Sequence, residues 1–248
     1  MYAVMEPRRL FVSVDPPGVA VAHLGAVVDG LEVARENRPG HSTRLSDRDQ
    51  WHLTLAFLGE VPAARLDSAS RAIESAVAAF TSARIQAPGD DGGAEGVSGD
   101  GSGEDPDSGS GGDDLGSGGE GLSRDGGAAP IWVRFAGAGT FGRGRSTILW
   151  AGVDGDLAGL HRLAQAVRRE LRRTRLPHDR KPFRPHLTLS KPGTRASPEQ
   201  VAADLLTLAE YRGPQWHVDA VHLVASDTVM TPTGPRSRYT RLASVALP

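Results

Sequence analysis

Two segments of the chain alternate polar and apolar residues in the same way. Residues 51–58 read Trp-His-Leu-Thr-Leu-Ala-Phe-Leu, and residues 186–190 read His-Leu-Thr-Leu-Ser. Since neighbouring side chains of a strand point to opposite faces, this period of two predicts strands with leucines on one face and His and Thr on the other. Further segments rich in β-forming residues are predicted as strands at residues 9–14, 131–137, 147–153, 217–226 and 239–247.

Four other segments have the pattern of helices. In residues 156–175 apolar side chains recur at i, i+3 and i+4, which is the spacing of one helix face. A second helix is predicted to begin at Ser197, because Ser is a good N-cap, Pro198 suits the first helical position and Gln200 completes a capping box. The other two helices are predicted at residues 17–36 and 62–80.

Strands and helices therefore alternate, but the short connections and late hairpins argue against a doubly wound parallel sheet. The pattern predicts an α+β fold with two antiparallel sheets and helices on their outer faces.

One segment departs from this pattern in composition. Residues 89–128 contain 16 Gly, 11 Asp or Glu and a single basic residue, Arg124. Such a segment cannot bury enough apolar surface to offset the entropy of ordering, so we predict a disordered acidic insertion. It carries −10 of a total charge of −2, which leaves +8 on the other 208 residues. A basic body suits a ligand with a phosphate backbone, and a solvated Arg-rich surface is the alternative.

Composition also narrows the classes of site and location. The chain has no cysteine, which excludes disulfides and thiolate metal sites and fits a reducing cytoplasm, where we expect the protein. We find no signal peptide and no run of about 18 apolar residues, so no membrane association is expected.

The duplicated tetrapeptide His-Leu-Thr-Leu carries the candidate chemistry. It places His52 and Thr54 on one strand face, and His186 and Thr188 on another. Two imidazoles can act as general base and general acid on opposite sides of a phosphodiester, because imidazole titrates near neutral pH. The Thr hydroxyls can donate to the non-bridging oxygens. A single His-x-Thr pair is typical of a structural contact, whereas two matching copies favour catalysis without a metal or other cofactor.

These motifs, with RLFVSVDPP, WHLTLAFLGEV and KPFRPHLTLSK around them, resemble the 2H phosphoesterase superfamily. The nearest resemblance is to the bacterial and archaeal RNA 2′,3′-cyclic phosphodiesterases, historically called 2′-5′ RNA ligases. It covers nearly the whole chain except residues 89–128. The resemblance implies one bilobal, pseudo-twofold domain over residues 1–248, with lobes interleaved in sequence and a cleft between two antiparallel sheets.

The resemblance also implies a reaction. Family members open a terminal 2′,3′-cyclic phosphate of RNA to a 2′-phosphate, which makes His52 and His186 the catalytic residues and Thr54 and Thr188 the phosphate-binding residues. By this analogy His52 acts on the leaving 3′-oxygen and His186 on water. We expect a monomer whose partner is RNA ending in a 2′,3′-cyclic phosphate. The alternatives are 2′-5′ RNA ligation, hydrolysis of another cyclic phosphodiester, or a non-catalytic RNA-binding module.

Further substrate-binding residues are predicted next to the second motif. The densest basic cluster of the chain ends at Lys181 and Arg184, and Arg184 lies two residues before His186. Phe183 could stack on a base, whereas Trp51 is predicted to pack in the core because it alternates with His52. The cluster is either a solvated helix face or a track for the RNA backbone, and its other members are Arg168, Arg169, Arg172, Arg173, Arg175 and Arg180. The remaining histidines lack metal-binding spacing and are predicted at the surface or as caps.

Overall fold

The protein is described from a computed structural model. The described residues are 6–35, 45–86, 129–142, 147–190, 197–232 and 234–248. The predicted acidic insertion, residues 89–128, lies outside them.

Strands and helices alternate over the described ranges, as the sequence pattern predicts. In chain order they are β1 (Arg8–Val14), α1 (Gly18–Asp29), β2 (Leu53–Val61), α2 (Leu66–Gln86), β3 (Trp132–Phe141), β4 (Ile148–Gly155), α3 (Leu157–Arg173), β5 (His186–Thr188), α4 (Pro198–Ala209), β6 (Trp216–His217), β7 (Ala220–Thr231) and β8 (Gly234–Ala246).

The two helices with the clearest sequence signals match their predictions. At the start of α3 the Asp156 carboxylate accepts a hydrogen bond from the Gly159 N–H at 2.7 Å. At the start of α4 the Ser197 hydroxyl accepts from the Gln200 N–H, and the Gln200 side chain accepts from the Ser197 N–H. The predicted capping box is therefore confirmed.

The first two helices differ from prediction at their ends. Helix α1 ends at Asp29 rather than near residue 36, because residues 32–34 form a separate 3-10 turn. The Asp204 carboxylate of α4 holds this turn by accepting from the N–H groups of Glu32 and Val33 at 2.6 and 3.0 Å. Helix α2 begins and ends later than the predicted residues 62–80.

The strands form one antiparallel sheet, in which the spatial order of the strands differs from their order in the chain, rather than the two sheets that we predicted. Its order is β6-β3-β4-β5-β2-β1-β7-β8. The sheet divides into two groups of four strands, which meet where β2 pairs with β5 through Leu53 and Leu187. We call β2-β1-β7-β8 the first half and β5-β4-β3-β6 the second half. The pairing of Leu53 with Leu187 joins the two groups of strands into one sheet, whereas the sequence pattern predicted two separate sheets.

The order of elements repeats between the two halves. A strand, a helix and a motif strand follow one another as β1-α1-β2 and again as β4-α3-β5. Strands β3 and β7 exchange partners, since β3 pairs with β4 and β7 pairs with β1. The halves are therefore interleaved along the chain.

The leucines of both motifs anchor the sheet in a common core. Leu53, Leu55, Leu187 and Leu189 are each at most 1% exposed and belong to one hydrophobic cluster. Helix α3 contacts β2, and α2 contacts α3, β7 and β8. Since Leu and His alternate along each motif, the opposite face of the sheet is left for His and Thr. Among the described residues no helix is long and apolar enough to span a membrane.

Candidate active site

The two motifs face each other at the junction of the sheet halves. In an antiparallel pair centred on Leu53 and Leu187, one step along either strand puts His52 across from Thr188 and Thr54 across from His186. The two imidazoles are then on one diagonal and the two hydroxyls on the other. Cβ atoms on such a diagonal are typically about 7–8 Å apart, which leaves room for a phosphate between the rings.

Both imidazoles are oriented by the same local hydrogen bond. His52 Nδ1 lies 2.7 Å from the Gln50 carbonyl oxygen, and His186 Nδ1 lies 2.6 Å from the Arg184 carbonyl oxygen. A carbonyl oxygen can only accept, so each Nδ1 carries a proton. Nε2 is therefore the ring nitrogen that can act on a ligand in each motif, and the two copies match in this respect.

Each imidazole also lies against two aromatic rings. His52 stacks on Phe11 at 4.7 Å between ring centroids and meets the edge of Tyr239 at 5.5 Å. His186 meets Phe141 at 4.9 Å and Trp150 at 6.1 Å, both edge to face. These rings restrict the rotation of the imidazoles, which is what a proton-transfer group needs to hold its position.

Two further features shape these aromatic surroundings, a glycine on β3 and the hydroxyl of Tyr239. A Cβ at Gly139 would lie 2.2 Å from the Trp150 ring, so only glycine lets that indole cross β3. Burial raises the pKa of the Tyr239 hydroxyl, which therefore stays protonated and able to donate.

One cavity of about 300 Å³ is lined by all four motif side chains. Arg9 is its one charged lining residue apart from the histidines, and no carboxylate lines it among the described residues. The other polar groups around it are hydroxyls and an amide, which can donate hydrogen bonds: Ser46, Gln50, Ser226, Ser237 and Tyr239. We call this the phosphate cavity, because a cation with neutral donors and no carboxylate suits an anion.

None of the three predicted substrate-binding residues lines this cavity. Lys181 and Arg184 are exposed, and neither lines the phosphate cavity in the described part of the chain. Phe183 packs on the hydrophobic core and contacts the His161 ring at 5.2 Å. Trp51 is 5% exposed, so its predicted place in the core is confirmed.

Arg168 has a structural role that the basic cluster concealed. Its side chain is 15% exposed and donates to the carbonyl oxygens of Leu55 and Lys181 at 3.3 and 2.6 Å. It also contacts the Asp179 carboxylate at 3.4 Å, while the Asp179 N–H donates to the Phe57 carbonyl oxygen. Arg168 thus ties the segment before β5 to β2, and the prediction that it lies on a solvated face or an RNA track is wrong.

His222 also differs from prediction, because it is 7% exposed rather than at the surface. Its Nδ1 lies 2.9 Å from the Ser244 hydroxyl, and its Nε2 lies 3.7 Å from the Asp15 carboxylate. Burial lowers the pKa of His222 despite the nearby Asp15. Within the described ranges, no group of three or more His, Asp or Glu is arranged to hold a metal ion.

Sequence reasoning missed the residues that complete the site from other strands. Arg9 and Phe11 are two residues apart on β1 and so lie on one face of the strand, but residues 10–14 are buried without interruption and no period of two marks that face. Tyr239 and Phe141 lie in the segments GPRSRYTRL and FAGAGTFG. Nothing local in either segment marks Tyr239 or Phe141 as a neighbour of the histidines.

Solved structures with a similar fold cover almost the whole chain. E. coli LigT complexed with 3′-AMP is 23% identical, with 98% of this chain and 99% of that chain covered and a TM-score of 0.57. TT0787 of Thermus thermophilus is also 23% identical, with 96% and 97% covered and a TM-score of 0.58. At this identity the likeness shows the fold. No curated protein matches the chain by sequence.

A family model identifies the chain more directly. The model of the 2′-5′ RNA ligase superfamily matches residues 21–229, a range that contains both motifs and most of the sheet. This chain therefore belongs to the 2′-5′ RNA ligase superfamily, a family of 2H phosphoesterases and ligases.

Proposed function

We propose that the protein hydrolyses the terminal 2′,3′-cyclic phosphate of RNA to a 2′-phosphate, with His52 and His186 as acid and base. The observation that carries the proposal is the matched pair of Nδ1 hydrogen bonds beside one cavity. In both imidazoles Nε2 is the nitrogen left for the ligand, and the two rings lie at opposite ends of the diagonal that joins His52 and His186. That arrangement suits a displacement in which one oxygen enters phosphorus as another leaves on the opposite side.

The proton transfers follow from this geometry. His186 Nε2 takes a proton from water as the water oxygen bonds to phosphorus, and the bond from phosphorus to the 3′-oxygen breaks. His52 Nε2 gives its proton to that 3′-oxygen. The products are a 2′-phosphate and a 3′-hydroxyl, and the second turnover begins once the two imidazoles exchange protons with solvent.

The remaining charge is distributed over the non-bridging oxygens. The hydroxyls of Thr54 and Thr188 are on the other diagonal, where they can donate to these oxygens. Arg9 supplies the positive charge at the cavity wall. No step of this reaction requires a metal ion, so we expect chelators to leave the rate unchanged.

Nucleotide complexes of a similar protein are consistent with this substrate class. E. coli LigT has been crystallised with 3′-AMP, with ATP and with NADP+. We extend nucleotide binding to this chain as part of the proposal, with RNA as the polymer that carries a 2′,3′-cyclic phosphate.

The test is a product analysis in water enriched in oxygen-18. An oligonucleotide ending in a 2′,3′-cyclic phosphate should yield only the 2′-phosphate, with one heavy oxygen on phosphorus, and EDTA should not slow the reaction. A 3′-phosphate product would overturn the assignment of the leaving oxygen.

Ligation and simple binding are separate outcomes of the same experiment. If a 5′-hydroxyl RNA takes the place of water, a joined strand appears and the heavy oxygen is absent. Binding with no new product would leave the chain as an RNA-binding module and refute the proposed hydrolysis. Variant His217→Ala is the matched control, because His217 is an exposed histidine on the edge strand β6.

A further inference from the structure

A second cavity of about 230 Å³ adjoins the phosphate cavity at His52. The two share five lining residues, which are Phe11, Gln50, Trp51, His52 and Tyr239. The other residues that line it are Ser13, Asp15, Asp49, Val224 and Arg241. All of its described lining residues come from the first half of the sheet, from Asp15 just after β1, or from the turn and motif residues before β2, so it belongs to the His52 side of the site.

Unlike the phosphate cavity, the second cavity is lined by two carboxylates, those of Asp15 and Asp49. The Asp15 carboxylate is paired with the Arg241 guanidinium and accepts from the Ser13 hydroxyl at 3.4 Å. Asp49 is exposed and makes no hydrogen bond or ion pair with any described residue. A second phosphate would be repelled here, whereas a group with N–H donors would be attracted.

The Gln50 side chain gives an independent sign of a missing donor. Its Nε2 donates to the Ser237 carbonyl oxygen at 3.0 Å, and this partner fixes the orientation of the amide because a carbonyl can only accept. Gln50 Oε1 is consequently the other end of the amide, buried and without a hydrogen-bond donor. Buried acceptors are nearly always paired in native structures. Since Gln50 lines both cavities, a shift of its side chain would open Oε1 to a ligand N–H that satisfies it.

We propose that the second cavity binds the nucleobase of the nucleotide that carries the cyclic phosphate, with Gln50 Oε1 and the Asp49 carboxylate accepting from its N–H groups. The proposal rests on the proposed function for the placement of the phosphate. The volume suits a single ring system rather than a whole nucleotide, and the small exposed parts of Phe11 and Trp51 add apolar lining.

The two acceptors predict an order among bases. Guanine presents two adjacent donors on its pairing edge, N1–H and the N2 amino group. Adenine and cytosine present one amino group beside an acceptor, and uracil presents one N–H between two carbonyl oxygens. Carboxylate and amide oxygens should therefore favour guanine most and uracil least.

The same placement supports the assignment of His52 as the acid. The leaving 3′-oxygen belongs to the nucleoside whose base would occupy the second cavity. A base held beside His52 brings that oxygen to the His52 side and leaves the His186 side for water. The recognition of the base and the direction of proton transfer are thus linked by geometry.

The proposal can be tested by binding alone. We would titrate the protein with guanosine 2′-monophosphate and uridine 2′-monophosphate by calorimetry, and expect guanosine to bind on the order of tenfold more tightly. Variant Asp49→Asn should bring the two affinities close together, because an amide can also donate to a uracil carbonyl. Variant Gln50→Met should reduce the preference by weakening guanosine binding.

Asp154→Asn is the matched control, since Asp154 is an exposed aspartate at the far end of β4 in the second half. It should leave both affinities unchanged. If Gln50→Met disturbs folding through loss of the Ser237 contact, the exposed Asp49 still decides the question. Equal affinities in the wild-type protein, or an unchanged preference in Asp49→Asn, would overturn the proposal.

Hydrolysis and base recognition can fail separately. A guanosine preference without turnover of cyclic phosphates would remove the proposed function but keep the base site. Turnover with equal affinity for the two monophosphates would keep the function and remove the base site.

Discussion

The two halves of the sheet carry the same tetrapeptide in different surroundings. In both, the imidazole Nδ1 is bound to the carbonyl oxygen two residues earlier. His52 directly precedes the nine-residue strand β2, and its ring stacks face to face on Phe11. His186 begins the three-residue strand β5, and its ring meets Phe141 and Trp150 edge to face. The local sequence sets the tautomer of each histidine, while the neighbouring strands set what each can do.

The first half also has a charged second cavity that has no described counterpart around His186. The two copies of the motif can therefore act as acid and as base, because the proposed site for a nucleoside lies on the His52 side alone. The following experiments test how far the two halves differ.

Replacing the histidines should have the largest effect. His52→Ala and His186→Ala should each lower kcat by about 10²–10⁴, because each removes one proton transfer. With a substrate whose leaving group is p-nitrophenolate, His52→Ala should lose much less, since that leaving group needs no acid. His186→Ala should stay slow with both substrates. Equal losses for the two variants on the activated substrate would remove the distinction between acid and base.

The threonines should come next and should be alike in the two halves. Thr54→Val and Thr188→Val should each lower kcat by about 10², the usual cost of losing one donor to a developing oxyanion. Thr→Ser at either position keeps the hydroxyl and should recover most of the rate. A loss of kcat for only one of the two Thr→Val variants would show that the phosphate does not lie midway between Thr54 and Thr188.

Much of this site could be predicted from sequence. Local sequence patterns predicted the faces of strands and the start of a helix, but they did not predict which strands pair. The period of two in the motifs correctly put His52 and Thr54 on one face, and the capping box of α4 was written in four consecutive residues. The pairing of Leu53 with Leu187 was not predictable, because a strand does not encode its partner. The single sheet was therefore missed.

Charge was the least reliable guide to the site. The basic cluster before β5 drew attention to Arg184, whereas the arginine that lines the phosphate cavity is Arg9 of β1, which lies outside that cluster. Similarly, the 3-10 turn that follows α1 is held by the Asp204 carboxylate, 171 to 172 residues further along the chain, so no local stretch of sequence predicts it.

Arginine variants should separate the phosphate cavity from the exposed cluster. Arg9→Ala should lower kcat and raise KM, because its charge lines the cavity. Replacing Arg180, Lys181 and Arg184 together by Ala should raise KM more than it lowers kcat. It should also flatten the salt dependence of RNA affinity by roughly one unit of slope per lost phosphate contact.

The control for that triple variant is Arg169→Ala with Arg172→Ala, two exposed positions further back on α3. Affinity measured across a salt series should change less in the control. An unchanged slope in the triple variant would mean that this part of the cluster is a solvated surface.

The smallest effect should come from His222, which is buried in the first half. Burial lowers its pKa below the ordinary value of 6.5, so between pH 6.5 and its folded pKa the unfolded chain binds a proton that the folded protein does not. Stability should fall in this window as pH falls, by at most about 1.4 kcal/mol per pH unit. Urea unfolding at pH 7 and pH 5 should show a smaller loss for His222→Gln than for the wild-type protein, and equal losses would contradict the sign.

The exchange of β3 and β7 between the halves has a consequence for cutting the chain. A break between α2 and β3 separates His52 from His186, and it also separates β1 from its partner β7. The C-terminal fragment keeps the whole second half but only β7 and β8 of the first half, and β1 and β2 stay with the N-terminal fragment. Each fragment therefore presents an unpaired strand edge that the other fragment covers in the intact chain. Turnover by a mixture of the two fragments would therefore act as a reporter of their association, with a rate that depends on the concentration of both.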